Sequence, residues 1–313
     1  MKLRIGHLST FYHTSILLMA KGDAGKNLGV DIEWELFGTG PAIVDAFERG
    51  RLDLAYIGLP PVLIGIDRGL DIVCVAGGHI EGTVFVGRKE LPAFPEEQDI
   101  RVILDLLKGR KIGIPGRGSL HDVVLADILE RFELAEKIEV IHFRWADEIT
   151  EAMAKGEVSA AVGTPALAVA VERYAGGKIL YPPSRLWPHN PSYGIVVDRR
   201  FLTGERETVE RFLILHEEAT FLIRNRPGEV ARTVARYVGF VDEEFVMDTL
   251  KVSPKYCAQI TDEYISSTME FVKALKRLGY IRRDIGSDDI FDTLLIRRLH
   301  PEKDHYGDGI AEA

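Results

Sequence analysis

Apolar and polar positions change period several times along the first half of the chain, and each change marks an element boundary. Between Val30 and Pro61 the order is an apolar strand, a Gly-Thr-Gly turn, a short helix, a second strand and a Pro-Pro break. Ile32, Trp34, Leu36 and Phe37 carry the first strand, while Ile43, Val44 and Phe47 give the helix one apolar face. Pro41 suits the first helical turn, where a missing N–H costs nothing, and Gly50 suits the end. Leu52, Leu54, Tyr56 and Ile57 supply the second strand, which stops at Gly58. This is the βαβ pattern of parallel sheets, in which small ligands dock at the open turns.

The unit occurs twice. Ile43–Asp45–Ala46–Phe47–Arg49–Gly50–Arg51–Leu52 is answered by Ile149–Glu151–Ala152–Met153–Lys155–Gly156–Glu157–Val158. Each copy runs on into a strand and a Gly-plus-Pro turn, Gly58-Leu59-Pro60 and Gly163-Thr164-Pro165. The opening strand Leu3–Gly6 has its counterpart in Arg110–Gly113 at nearly the same offset. Two matches in one order predict two related α/β lobes, with a ligand cleft between them.

Elsewhere the pattern predicts an amphipathic helix over Leu120–Phe132 and strands over Ile72–Ala76, Thr83–Gly87, Ile138–Phe143 and Lys178–Tyr181. Lys21–Gly29 reads as a polar turn, and Pro182–Pro191 as a proline-rich connection without helix. Tyr193–Val197 returns as a strand assigned to the first lobe. From Glu205 onward the chain is mostly helical, and Pro301–Ala313 reads as a polar tail that frays. The division expected is residues 1–87 plus 190–313 for lobe 1, with the C-terminal helices, and 88–189 for lobe 2.

A net charge of −9 argues against general nucleic-acid binding, which needs basic patches to displace phosphate counterions. Cys74 and Cys257 lie far apart among apolar neighbours, as buried free thiols do; a disulfide is the alternative. No run is long and apolar enough to cross a bilayer. Met1-Lys2 leads directly into a strand, so the expected location is extracytoplasmic if a leader was removed and cytoplasmic if Met1 is the native start.

No cofactor is expected. Gly38-x-Gly40 and Gly116-x-Gly118 lack the third glycine of a dinucleotide fingerprint, since Ile43 and His121 stand there. Gly118-Ser119 opens the Leu120 helix, where free N–H groups, a hydroxyl and the helix dipole suit an anion; the alternative is that Ser119 only caps its helix. Thr39 stands at the corresponding turn of the first lobe. His7, His13, His79 and His121 fall in or beside loops at predicted strand ends, with Glu81 and His189 as possible neighbours, and are candidates for hydrogen bonding a ligand. No pair has the spacing of a preformed metal site, and no metal ligand is assigned. Phe11, Tyr12, Trp187 and Tyr193 are candidates to sandwich a flat ligand, and Arg117, Arg144 and Arg185 to pair with an anion.

The segments Leu3–Gly6, Phe37–Pro41, Gly50–Gly58, Gly109–Pro115 and Gly118–Ser119 together resemble the type II periplasmic-binding-protein fold, in its nitrate, alkanesulfonate and thiamine-pyrimidine receptor branch. The resemblance covers the chain to about residue 275, with Gly50–Gly58 its most specific part. It implies two lobes, each a mainly parallel sheet flanked by helices, joined by two crossovers and closing on one small ligand. It implies contacts from Ser9, Thr10, Phe11, Tyr12 and His13, from Gly38 and Thr39, and from Gly58 and Leu59. Further contacts are implied near His79, at Gly118 and Ser119, and at Thr164, and Tyr193 joins this set as an aromatic candidate.

The function expected is the substrate-binding component of an ABC importer. It would take a small anionic or polar aromatic solute into the cleft and hand it to a membrane permease. The alternative is a cytoplasmic enzyme on the same fold, like the menaquinone-pathway enzymes it also hosts, with His13 or His79 as general base. A metal or metal-chelate receptor is a third, weaker reading.

Overall fold

The computed structural model describes residues 1–311. The first stretch runs β1 (Lys2–Leu8), α1 (Thr14–Lys21), α2 (Ala24–Leu28), β2 (Asp31–Phe37), α3 (Gly40–Glu48), β3 (Leu54–Ile57), α4 (Leu59–Asp67) and β4 (Ile72–Ile80). The middle runs β5 (Val84–Arg88), α5 (Ile100–Asp105), β6 (Lys111–Pro115), α6 (Leu120–Arg131), β7 (Glu139–Phe143), α7 (Ala146–Ala154), β8 (Ala160–Gly163), α8 (Pro165–Tyr174), β9 (Gly177–Tyr181) and α9 (Pro183–Leu186). The last part holds β10 (Pro191–Asp198), α10 (Arg199–Gly204), α11 (Arg206–Asn225), α12 (Pro227–Val238), α13 (Glu243–Val252), α14 (Asp262–Arg277), α15 (Ser287–Ile290) and α16 (Leu294–Leu299).

Two five-stranded sheets result, with the orders β2-β1-β3-β10-β4 and β7-β6-β8-β5-β9. The repeat read from the sequence is this symmetry. In each sheet the opening strand pairs in parallel with its two partners, β1 with β2 and β3, β6 with β7 and β8. The fourth strand of each is antiparallel and arrives by a crossover, β10 in the first sheet and β5 in the second.

That arrangement corrects one boundary. Val84–Gly87 hydrogen-bonds antiparallel to Gly163–Ala160, so β5 lies in the second sheet and the first crossing falls at Glu81–Thr83, not after residue 87. β10, by contrast, lies in the first sheet as the sequence reading has it.

Local chemistry explains the elements. Leu3 and Ile5 of β1 are fully enclosed on one face. Ile43, Val44 and Phe47 bury the face of α3, and Gly50, at φ 66°, turns the chain out of it in a left-handed conformation that suits glycine. Short elements are missed by the periodicity, among them α10, which Asp198 caps by accepting from the Arg200 and Phe201 N–H groups. α2 forms one turn within the Lys21–Gly29 segment, and α9 forms one turn where Pro183 occupies the first helical position.

As far as Ala311 the C-terminal segment is anchored rather than frayed; residues 312–313 lie outside those described. Tyr306 is buried, and its hydroxyl donates to Gln259 O at 2.9 Å; the Ala311 N–H donates to Arg224 O at 2.7 Å. One aromatic anchor and a backbone bond hold a polar sequence that composition alone would leave loose. Both cysteines are buried and free. No helix among the described residues is long and apolar enough to cross a membrane.

α14 packs against α4 beside the first sheet and against α6 beside the second. Arg277 at its end pairs with Asp127 and, at 2.7 Å, with Glu130 of α6. The Tyr280 hydroxyl donates to Asp122 Oδ2 at 2.6 Å. The C-terminal helices thus clasp both lobes.

Candidate functional site

The lobes meet face to face through glycines. A β-carbon on Gly38 would lie 2.6 Å from Arg144 O, and one on Gly58 would lie 3.3 Å from Leu120 Cβ. Between these contacts the structure encloses a cavity of about 50 Å³. Its wall comes from both sheets, at the carboxyl ends of their parallel strands, where ligands of open α/β sheets bind. Room of this size holds roughly three to five water molecules, or the head of one small oxoanion.

Each strand end passes into a helix whose start faces the cavity. The lining includes five N-cap residues: His13 of α1, Thr39 of α3, Gly58 of α4, Ser119 of α6 and Thr164 of α8. Ala146, the first residue of α7, also lines it. Every helix start leaves N–H groups without intrahelical partners and carries about half a unit of positive charge. No Lys, Arg, Asp or Glu side chain stands among the described lining residues. The field is positive without a formal charge.

The side chains divide into those already engaged and those left open. Ser119 Oγ accepts from the Asp122 N–H at 3.2 Å and donates to Pro115 O at 2.6 Å, so this hydroxyl is a cap. Thr164 Oγ1 accepts from the Leu167 N–H at 3.3 Å. The Tyr12 hydroxyl and Ser192 Oγ are 3.3 Å apart. Thr39 makes no capping bond. Thr10 Oγ1 and both ring nitrogens of His13 are buried without any partner.

His13 is 1% exposed, and its ring lies 4.0 Å from that of Tyr193 and 4.6 Å from that of Tyr12, centroid to centroid. Burial holds this imidazole well below its ordinary pKa, and the neighbouring imidazoles His79, His7, His121 and His216 push the same way. His13 is therefore neutral at pH 7, offering one donor and one acceptor. Its position is fixed from behind. The Thr14 N–H donates to the Tyr193 hydroxyl at 3.2 Å, and Thr14 Oγ1 lies 2.7 Å from His216 Nδ1. His216 Nε2 lies 2.8 Å from Gly77 O, which assigns the proton to Nε2 and leaves Nδ1 to accept from Thr14.

Of the sequence candidates, Ser9, Thr10, Tyr12, His13, Gly38, Thr39, Gly58, Ser119 and Thr164 line the cavity. The others lie elsewhere. Phe11 packs edge-on against Phe240 and Phe245. Leu59 is core in the first turn of α4. His79 lies behind Tyr12, its Nε2 2.6 Å from Ser253 O. Tyr193 backs His13. The Gly118 N–H donates to Asp122 Oδ2 at 2.7 Å and so turns from the cavity. Arg117, Arg144 and Arg185 are not in the lining either; Arg185 lies over the Phe94 ring.

Leu8, Gly40, Pro61, Pro115, Leu120, Ala146 and Ser192 complete the wall unforeseen, and His121, noted only among the loop histidines, joins them. His121 Nδ1 lies 3.0 Å from Thr83 Oγ1, on the crossover. Its place two residues after the Ser119 cap is the signal that marks it.

The family model of the NMT1-like family matches residues 1–239. The chain belongs to the NMT1-like family. A putative aliphatic sulfonates-binding protein of Bacillus subtilis is 24% identical to this NMT1-like chain over 303 residues, 94% of the chain and 87% of the relative. Among solved structures, the alkanesulfonate-binding protein SsuA of Xanthomonas axonopodis pv. citri, bound to MOPS, superposes with a TM-score of 0.78 at 18% identity, covering 93% of this chain and 98% of that one. The periplasmic nitrate-binding protein NrtA of Synechocystis PCC 6803 gives 0.76 at 14% identity, covering 96% and 88%. The fold is that of the two-lobed type II periplasmic binding proteins.

Proposed function

We propose that this protein is the substrate-binding component of an ABC importer and that its solute is a small oxoanion, trapped between the lobes and delivered to a membrane permease. The observation that carries the reading is His13: a neutral imidazole, enclosed at the start of α1, with neither nitrogen partnered and facing a cavity ringed by helix starts. Leaving such groups unpaired costs about 1–3 kcal/mol each, a cost that a bound hydrogen-bonding solute removes. An anion gains from every helix start at once, whereas a cation is repelled. The cavity volume favours a compact head group over a polar aromatic ring.

The likeness to sulfonate- and nitrate-binding proteins supports the same class of solute. An importer receptor works outside the cytoplasm, and that location is part of the proposal. The general-base alternative has less support. His79 does not line the cavity, and among the described lining residues no carboxylate is placed to orient His13 as a base.

Native mass spectrometry of freshly purified protein tests the reading. A single retained adduct with the mass of a small oxoanion supports it. A neutral or cationic organic adduct overturns it.

A further inference from the structure

A broad depression lies over the C-terminal segment, shares no lining residue with the cleft cavity, and has a volume of about 830 Å³. Its wall includes Glu217, Glu302, His305 and Asp308. At its inner edge a ring nitrogen of His300, a ring nitrogen of His305 and a carboxylate oxygen of Glu302 lie within 4.8 Å of one another. The two imidazoles meet edge to face, with centroids 5.0 Å apart.

Both rings are oriented from behind by carboxylates. His300 Nδ1 lies 2.9 Å from Glu217 Oε1 of α11, and His305 Nδ1 lies 2.7 Å from Asp308 Oδ2. His300 Nε2 lies 3.3 Å from Lys303 O and 3.9 Å from Cys257 Sγ, contacts that an ion at this nitrogen displaces. A carboxylate on one nitrogen fixes the tautomer, raises the basicity of the other and directs it to a metal. The loop between the rings is also held. Gln259 Nε2 donates to Glu302 O at 2.9 Å, and Tyr306 anchors the following turn. His300 is fully buried, Glu302 is exposed and His305 is half-buried, so the groove gives an ion a path in.

We propose that His300, Glu302 and His305 form a binding site for a zinc-like divalent ion, with Glu217 and Asp308 as the groups that position its histidines. Two imidazoles and one carboxylate are a borderline-soft donor set suited to Zn²⁺, whereas Mg²⁺ and Ca²⁺ select oxygen ligands. Three protein ligands leave a coordination position open toward the groove. The ion ties the C-terminal segment to α11, through Glu217, and so to the back of the first lobe.

The test is calorimetric titration of ZnCl₂ into the full chain, stripped with a chelator and dialysed into phosphate-free buffer, together with thermal unfolding. The wild type is expected to bind one equivalent and to melt at higher temperature with zinc. His305→Ala and Glu302→Gln are each expected to weaken binding at least about tenfold and to lose most of the zinc-dependent rise, and Asp308→Asn to weaken it by about ten- to a hundredfold. MgCl₂ should give no saturable heat. Glu302 is exposed, so its substitution carries the test even if His305→Ala folds poorly. Absence of saturable zinc binding by the wild type overturns the proposal. Unchanged affinity in Glu302→Gln also overturns it, and would move the ion to the imidazoles of the cleft.

Discussion

A β-carbon on Gly116, in the second lobe, would lie 2.5 Å from Cγ2 and 2.9 Å from Cβ of Thr39 in the first. The two turns that begin α3 and α6 therefore touch only because one of them is a glycine. Rotating the Thr39 side chain would clear its methyl group but not its β-carbon. Gly116→Ala should hold the lobes apart, and its φ of 42° adds local strain of about 1–2 kcal/mol. The expected result is at least a tenfold loss of affinity for a short alkanesulfonate, with a lowering of the melting temperature by a few degrees. Calorimetry and thermal unfolding check it, and unchanged affinity would contradict closure through this contact.

Ser119 and Thr10 make opposite predictions. The Ser119 hydroxyl is spent on Asp122 N–H and Pro115 O, so Ser119→Ala should lower stability by about 1 kcal/mol and change affinity little. The Thr10 hydroxyl has no partner, so Thr10→Val should leave stability unchanged or raise it while lowering affinity several-fold. Urea unfolding and calorimetry on the two variants separate the roles; the reverse pattern would exchange them.

The turn chemistry around these residues was legible in the sequence because it is local. Gly38-Thr39, Gly118-Ser119 and Gly163-Thr164 each stand between an apolar run and a helical one, and the repeat told which ends share a cleft. What was not legible depends on long-range pairing. Thr83–Gly87 reads as a strand in isolation, and only the pairing of β5 with β8 and β9 assigns the sheet. Phe11, His79 and Tyr193 belong to the right strand ends, but neighbours distant in sequence, Phe240, Tyr256 and Thr14, decide which way each faces. The zinc-like cluster was hidden for the same reason, since a polar tail shows no sign that Gln259 and Glu217 will hold it.

Acid should destabilise the fold before carboxylates titrate. Burial holds His79 at about 3, His121 and His216 at about 4, and His13 well below its ordinary value. In the unfolded chain these groups titrate near 6.5, so the unfolded state binds more protons from about pH 6.5 down to 4. Their contribution is fully present above pH 7 and is lost as pH falls, by at most about 1.4 kcal/mol per group per pH unit. Urea midpoints at pH 7, 6 and 5 should drop steeply, and less so in His121→Gln. A flat profile would mean that these imidazoles are not neutral in the fold.

Tyr280 donates to Asp122 across the lobes, and the same carboxylate receives the Gly118 N–H and lies 2.8 Å from His142 Nε2. Tyr280→Phe removes one bond to a charged group at a half-buried position, worth about 1 kcal/mol there, or roughly fivefold in affinity if the bond forms only on closure. Small-angle scattering should show a larger radius of gyration for this variant without ligand. Identical scattering and affinity would mean that the bond survives opening.

The central claim is that a small oxoanion completes the unpaired donors of the closed cleft, His13 first among them. Calorimetric titration of wild type and His13→Phe with nitrate, sulfate and short alkanesulfonates tests it most directly. The account predicts saturable one-site binding of at least one of these anions by the wild type and its loss in His13→Phe, with the fold intact. Equal affinity in the two proteins, or no saturable binding of any of the anions by the wild type, would contradict it.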